Sequence, residues 1–147
     1  MSKDKQSIEE VLREKGYIVY TNEGDSMMPF LRQHRDLMVI HQLTKLPKKN
    51  DAVLFKRPSG AYVLHRIIKV CKHGNYRIAG DNRSFSELIP KEWIIGILLE
   101  VIRDGRHISV DSEEYKSYVK KVPMHRFRLK LKQIPSEIKK RIIRMMK

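Results

Sequence analysis

Apolar residues in this chain fall in short runs broken by turn-forming residues, a pattern that predicts strands more than helices. The opening segment is the exception. Over residues 7–15, Ile8, Val11 and Leu12 share one helical face, Ser7 can cap, and Glu9 and Glu10 suit the positive end of the dipole. Gly16 ends that helix. Residues 17–20, β-branched and aromatic, read as a strand leading into a tight turn at 24–29. Residues 36–42 read as a strand apolar on both faces at its centre, and 52–56 as the next, after the turn Lys48-Lys49-Asn50-Asp51. Pro58-Ser59-Gly60 signals a hairpin into a long strand over 61–72. A turn at 72–75 leads to a strand at 76–79, and an irregular loop is expected up to residue 90. Residues 93–103 return as a strand, and Asp104-Gly105 turns the chain into 107–110.

Beyond this point the pattern changes. Residues 111–118 read as helical, with Pro123 as an interruption. Arg126-Phe127-Arg128-Leu129-Lys130-Leu131-Lys132 alternates basic and apolar positions, as an edge strand would. Residues 135–147 read as a final helix with Ile138, Ile142, Met145 and Met146 along one side. The expected fold class is therefore mainly β: antiparallel sheets that curl on themselves, with short N- and C-terminal helices. The organisation follows as an N-terminal helix and lead-in strand (1–22), a β-rich domain (23–110) and a basic C-terminal extension (111–147).

Charge sharpens that division. The net charge is +14, yet residues 120–147 hold eleven Lys and Arg against a single acid, Glu137, so most of the excess lies there. Such a tail has three readings: a solvated basic face packed on the body, an anionic membrane surface as partner, or nucleic acid. Phe127 is the only aromatic residue in the tail, too little for a base-stacking platform, which disfavours nucleic acid. The single cysteine, Cys71, excludes an intrachain disulfide, fits a reducing compartment, and reads as a small buried residue of its strand. The N-terminal segment is charged, unlike a signal peptide. The longest apolar stretch, 93–99, falls far short of the roughly 18–20 residues a spanning helix needs. A cytoplasmic protein, or one peripheral to a membrane, is expected.

Three sites carry chemistry. Gly24-Asp25-Ser26-Met27-Met28-Pro29 is a tight turn in which a serine hydroxyl can be presented outward. His65 lies mid-strand between Leu64 and Arg66, where an imidazole can be held rigidly. Gly80-Asp81-Asn82 follows, with Asp81 able to accept a hydrogen bond from His65 and so fix its tautomer. Each has an ordinary alternative when taken alone: a loop closure, a half-buried sheet histidine, a tight turn. A serine becomes nucleophilic only beside a base, so Ser26 and His65 matter together or not at all. No histidine pair has metal-ligand spacing with a third partner, and neither metal nor cofactor is expected.

In order and spacing, Ser26-Met27-Met28-Pro29-Phe30-Leu31, Arg35-Asp36-Leu37-Met38-Val39, Asp51-Ala52-Val53-Leu54-Phe55, Val63-Leu64-His65-Arg66-Ile67-Ile68 and Gly80-Asp81-Asn82 resemble the signal peptidase I family and its soluble relatives, the LexA-like self-cleaving repressors. The resemblance spans roughly residues 23–99. It implies a serine endopeptidase on a β-rich catalytic fold, with Ser26 as nucleophile and His65 as general base, the histidine-base branch, without that branch's membrane anchor. Asp81 matches the aspartate of the Gly-Asp-Asn box, Glu87 stands where that branch carries a further acid, and Ser86 falls where lysine-type members keep a serine. Any of the three could orient His65, with Asp81 the first choice. Gly24 replaces a serine that some members use as an oxyanion donor, leaving the Ser26 N–H, a donor typically worth about 3 kcal/mol.

The implied mechanism is acyl-enzyme formation on Ser26, and a base near the ordinary histidine pKa of about 6.5 would lose activity on the acid side of neutrality. The implied substrate is an extended peptide or leader-bearing precursor, cut after small residues. Self-cleavage is disfavoured, since no helix-turn-helix precedes Ser26. The alternative is a non-catalytic basic module for an anionic membrane surface or nucleic acid.

Overall fold

The computed structural model describes residues 6–147. Ser7 caps α1 (Ile8–Lys15), its hydroxyl accepting from Glu10 N, and Gly16 closes the helix in the left-handed region at φ 82°. The part of the N-terminal reading that concerns residues 1–5 lies outside the described residues.

Eight strands follow: β1 (Tyr17–Thr21), β2 (Asp36–His41), β3 (Ala52–Lys56), β4 (Tyr62–Val70), β5 (Asn75–Ala79), β6 (Glu87–Pro90), β7 (Ile94–Arg103) and β8 (Arg106–Ser109). All pair antiparallel in one sheet, in the order β1-β2-β7-β3-β4-β5-β6, with β8 on β7. The protein is thus mainly β. Both faces of the sheet are covered, because successive residues of a strand point to opposite sides. Leu54 and Leu64 join Leu12, Met27, Leu31, Ile40 and Tyr115 in one apolar cluster. Val53, Phe55, Ile67, Ile78 and Ile89 form the second, on the other face.

Three elements differ from the sequence reading. Residues 87–90, expected as loop, form β6, whose short apolar Leu88-Ile89 core pairs with β5 at the sheet edge. Residues 126–132, expected as an edge strand, belong instead to α2 (Glu113–Gln133), which runs through Pro123. Packing overrides local pattern here: Tyr115 and Val122 are buried against the body while the alternate apolar residues stay outside. The first part of the extension is therefore built into the domain. Cys71, expected inside a strand, follows the end of β4 and is half-buried. The terminal helix α3 (Ser136–Met146) buries no residue.

Candidate active site

Ser26 opens the turn that leaves β1, and that turn is pinned along its length. Gly24 N donates to Gln33 Oε1 at 2.5 Å, Met28 N to Asp25 O at 3.2 Å, and Leu31 N to Met27 O at 3.1 Å. The Phe30 carbonyl accepts from Arg35 Nη2 at 2.7 Å and Arg103 Nη2 at 2.6 Å. Both arginines also bind the Asp36 carboxylate, which is fully buried. Met27 anchors the turn in the core at 1% exposure while Ser26 remains half-buried. A rigid turn with its serine at the surface of the core results.

The Gly80-Asp81-Asn82 turn clasps the serine turn from the other side. Asn82 N donates to Ser26 O at 2.8 Å, Asn82 Nδ2 to Asp25 O at 3.1 Å, and Arg83 Nη2 to Asp25 Oδ1 at 2.7 Å. Asp81 N approaches Met27 Sδ at 3.4 Å. Helix α2 supports this turn in its own right: Tyr118 OH donates to Asp81 Oδ2 at 2.7 Å, His125 Nε2 pairs with Asn82 Oδ1 at 2.9 Å, and Arg126 Nε donates to Arg83 O at 3.0 Å.

His65 reaches the same place from β4. Arg66 lies across from Ala79, so the register carries His65 to the level of Gly80. A Cβ built on Gly80 would lie 2.7 Å from the Ser26 carbonyl oxygen and 3.2 Å from His65 Nε2. The glycine therefore marks the point where the serine turn and the imidazole converge, and its missing side chain is what permits the approach. Ser26 Oγ and His65 share no hydrogen bond in this arrangement, and among the described residues the Ser26 N–H makes none either. Folding thus brings two residues far apart in sequence to one locus, with the serine donors free.

The third expected partner sits elsewhere. Asp81 directs both carboxylate oxygens to Arg66, Oδ1 to Nε at 2.7 Å and Oδ2 to Nη2 at 2.9 Å, in addition to Tyr118. It makes no hydrogen bond with His65, whose Nδ1 is buried without a partner among the described residues. Asp81, the first choice of orienting residue, is thus engaged by Arg66 and Tyr118 and acts on His65 only as a nearby charge. The reason is strand geometry: His65 and Arg66 are neighbours on β4 and point to opposite faces. Arg66 takes the side of Tyr115 and Tyr118, and His65 takes the side of Phe55, whose ring centroid lies 6.0 Å away.

On that side the nearest acid is Glu87 of β6, with Oε1 3.9 Å from His65 Nδ1. Arg57, just past β3, holds the Glu87 carboxylate in a two-pronged pair, at 2.7 and 2.6 Å. Ser86 is occupied otherwise, its hydroxyl accepting from Arg77 Nη1 at 3.2 Å. Burial is the largest influence on His65 and pushes its pKa down to about 4, with Glu87 pulling it up and Arg57 pushing it further down. The sequence expectation of an ordinary imidazole pKa is therefore also corrected. The hydrogen bonds from Arg57 hold Glu87 below the usual carboxylate range. Burial thus favours the neutral form of the imidazole, and the Arg57 pair favours the ionised form of the acid beside it.

A cavity of about 280 Å³ adjoins Ser26, lined by Tyr20, Thr21, Asn22 and Glu23 from the end of β1 and by Tyr62, Val63 and Leu64 of β4. Asn22 is 7% exposed, and its Nδ2 is buried with no partner among the described residues. A buried donor left unpaired at the wall of a cavity is suited to a ligand carbonyl. Sequence reasoning missed Asn22 and Arg57. Asn22 sits directly ahead of the serine turn, a position that could have drawn attention to it, whereas Arg57 carries no local signal. Among the described residues no group of three His, Cys, Asp or Glu side chains is placed to hold a metal ion.

Comparison of the chain with models of known protein families and with curated proteins finds no match.

Proposed function

We propose that this protein is a serine endopeptidase of the signal peptidase-like type, using Ser26 as nucleophile and His65 as base on an extended peptide. The observation that carries the reading is the convergence at Gly80 of the Ser26 backbone and the His65 ring, with Ser26 also lining a cavity. A neutral imidazole is the form that accepts a proton, and burial keeps His65 in that form.

The chemistry follows from these groups. His65 Nε2 takes the Ser26 Oγ proton as the oxygen bonds to the scissile carbonyl carbon. The oxyanion is met by the free Ser26 N–H, a donor of the kind that contributes about 3 kcal/mol. Collapse breaks the C–N bond, the leaving amine takes the proton from His65, and water repeats the sequence in reverse to release the acid. Glu87, in place of Asp81, is the group that faces Nδ1 and stabilises the imidazolium formed on the way. Strand β1 is an edge of the sheet and runs into Asn22 and Ser26, so a substrate strand added along it delivers a carbonyl to the unpaired Asn22 amide.

The test is incubation with a peptide library and reading of cut positions by mass spectrometry, for the wild type, Ser26→Ala and His65→Ala. Cleavage by the wild type and loss in both variants is expected. Wild-type rates in either variant would remove the proposal.

A further inference from the structure

Helix α2 shows two apolar faces, and only one is used by the fold. Tyr115, Tyr118 and Val122 turn to the body, whereas Met124, Phe127 and Leu131, three and four residues apart, are 55%, 54% and 40% exposed on the outside. Helix α3 continues the theme: Ile138, Ile142 and Met145 share a sector with Met146, and their exposures run from 41% to 83%. An apolar surface of this extent, left open, calls for a partner.

The surrounding charge identifies its chemistry. Lys121, Arg128 and Lys132 flank the α2 stripe, Lys140 and Arg144 occupy the side of α3 opposite its apolar sector, and Arg141 borders that sector. A helix with a cationic face and an apolar face lies in the plane of a membrane, apolar side in the acyl boundary and cations among anionic headgroups. A second copy of this chain would set like charges against each other. Nucleic acid would use the cations and leave the aliphatic stripe in water. No described helix is long and apolar enough to cross a membrane, so the contact is with its surface.

We infer that α3 and the outer stripe of α2 dock this protein on anionic bilayers. The docking surface lies outside the Ser26–His65 site, so it stands or falls independently of the peptidase reading.

The experiment is co-sedimentation of the full chain with vesicles of phosphatidylcholine alone or mixed with phosphatidylglycerol, at about 0.1 M salt. Binding to the mixed vesicles and not to phosphatidylcholine is expected. Ile142→Gln with Met145→Gln, and separately Lys140→Gln with Arg141→Gln and Arg144→Gln, should each weaken it at least about tenfold, with unchanged thermal melting. Ser26→Ala should bind as the wild type. The inference is overturned by failure to bind the mixed vesicles, or by equal binding to neutral ones. It is equally overturned if the apolar double variant binds undiminished, since that describes simple polycation adsorption, the behaviour also expected of a nucleic-acid surface.

Discussion

Asp81 is bound to Arg66, with Oδ1 2.7 Å from Nε and Oδ2 2.9 Å from Nη2, and both side chains are at most 3% exposed. Arg66 uses its remaining donors on the Asn50 carbonyl at 2.7 Å and the Tyr115 hydroxyl at 3.1 Å. The pair therefore joins β4, the Gly80 turn and α2 into one unit, and the aspartate serves the architecture around the site. Removing one member of such a buried pair strands the other charge without compensation. Asp81→Asn should cost about 3–5 kcal/mol in chemical denaturation. A loss under 1 kcal/mol, with activity abolished, would return Asp81 to the catalytic role.

Glu87 should behave differently. It is half-buried and held by Arg57, so Glu87→Gln is expected to change stability little, by about 1 kcal/mol or less, while slowing peptide cleavage. The distinguishing readout is NMR titration of the His65 ring. Arg57→Gln removes a neighbouring positive charge and should raise the His65 pKa, whereas Glu87→Gln should lower it. Identical His65 titration in the two variants would contradict the arrangement.

Gly80→Ala tests the convergence of serine and histidine. The added methyl meets a backbone oxygen at 2.7 Å, well inside contact distance, and the imidazole at 3.2 Å. The two groups must separate to admit it. Overpacking of this kind costs about 1–3 kcal/mol, and cleavage should fall with stability to spare at low temperature. Full activity in the alanine variant would mean that the Gly80 turn is not a close neighbour of the working site.

The pH dependence has a definite sign. His65 has a folded-state pKa near 4, below the ordinary value of about 6.5 that it regains on unfolding. Above 6.5 neither state binds the proton and the contribution to stability is complete. As pH falls through 6.5 the unfolded state gains a proton that the folded state refuses, and stability drops until about pH 4, by about 3 kcal/mol in total. Cleavage, which needs the neutral ring, should hold from neutrality to about pH 5 and reach half its maximum near 4 while the fold persists. A midpoint near 6.5 would show that the ring is far more solvated than its surroundings imply.

Much of the fold was legible along the chain because its signals are local. Ser7 and Gly16 cap α1, Pro58-Ser59-Gly60 and Asp104-Gly105 turn hairpins, and the apolar runs between them become β2, β3, β4 and β7. Each depends on backbone preferences and on which residues prefer burial, both properties of a few neighbouring residues. Helix α2 escaped because Pro123 and the alternating 126–132 segment give the wrong local signal, and contact of Tyr115 and Val122 with the body outweighs it. The residue types of the candidate site could also be picked out by eye: Ser26 in its turn, His65 in its strand, acids at 81 and 87. What only the folded chain decided is which of these face each other. Strand alternation sends Arg66 to Asp81 and His65 to Glu87, pairing of β6 with β5 brings that glutamate into range, and burial sets the charge of the ring. Those relations are long-range in sequence, so no window of neighbouring residues contains them.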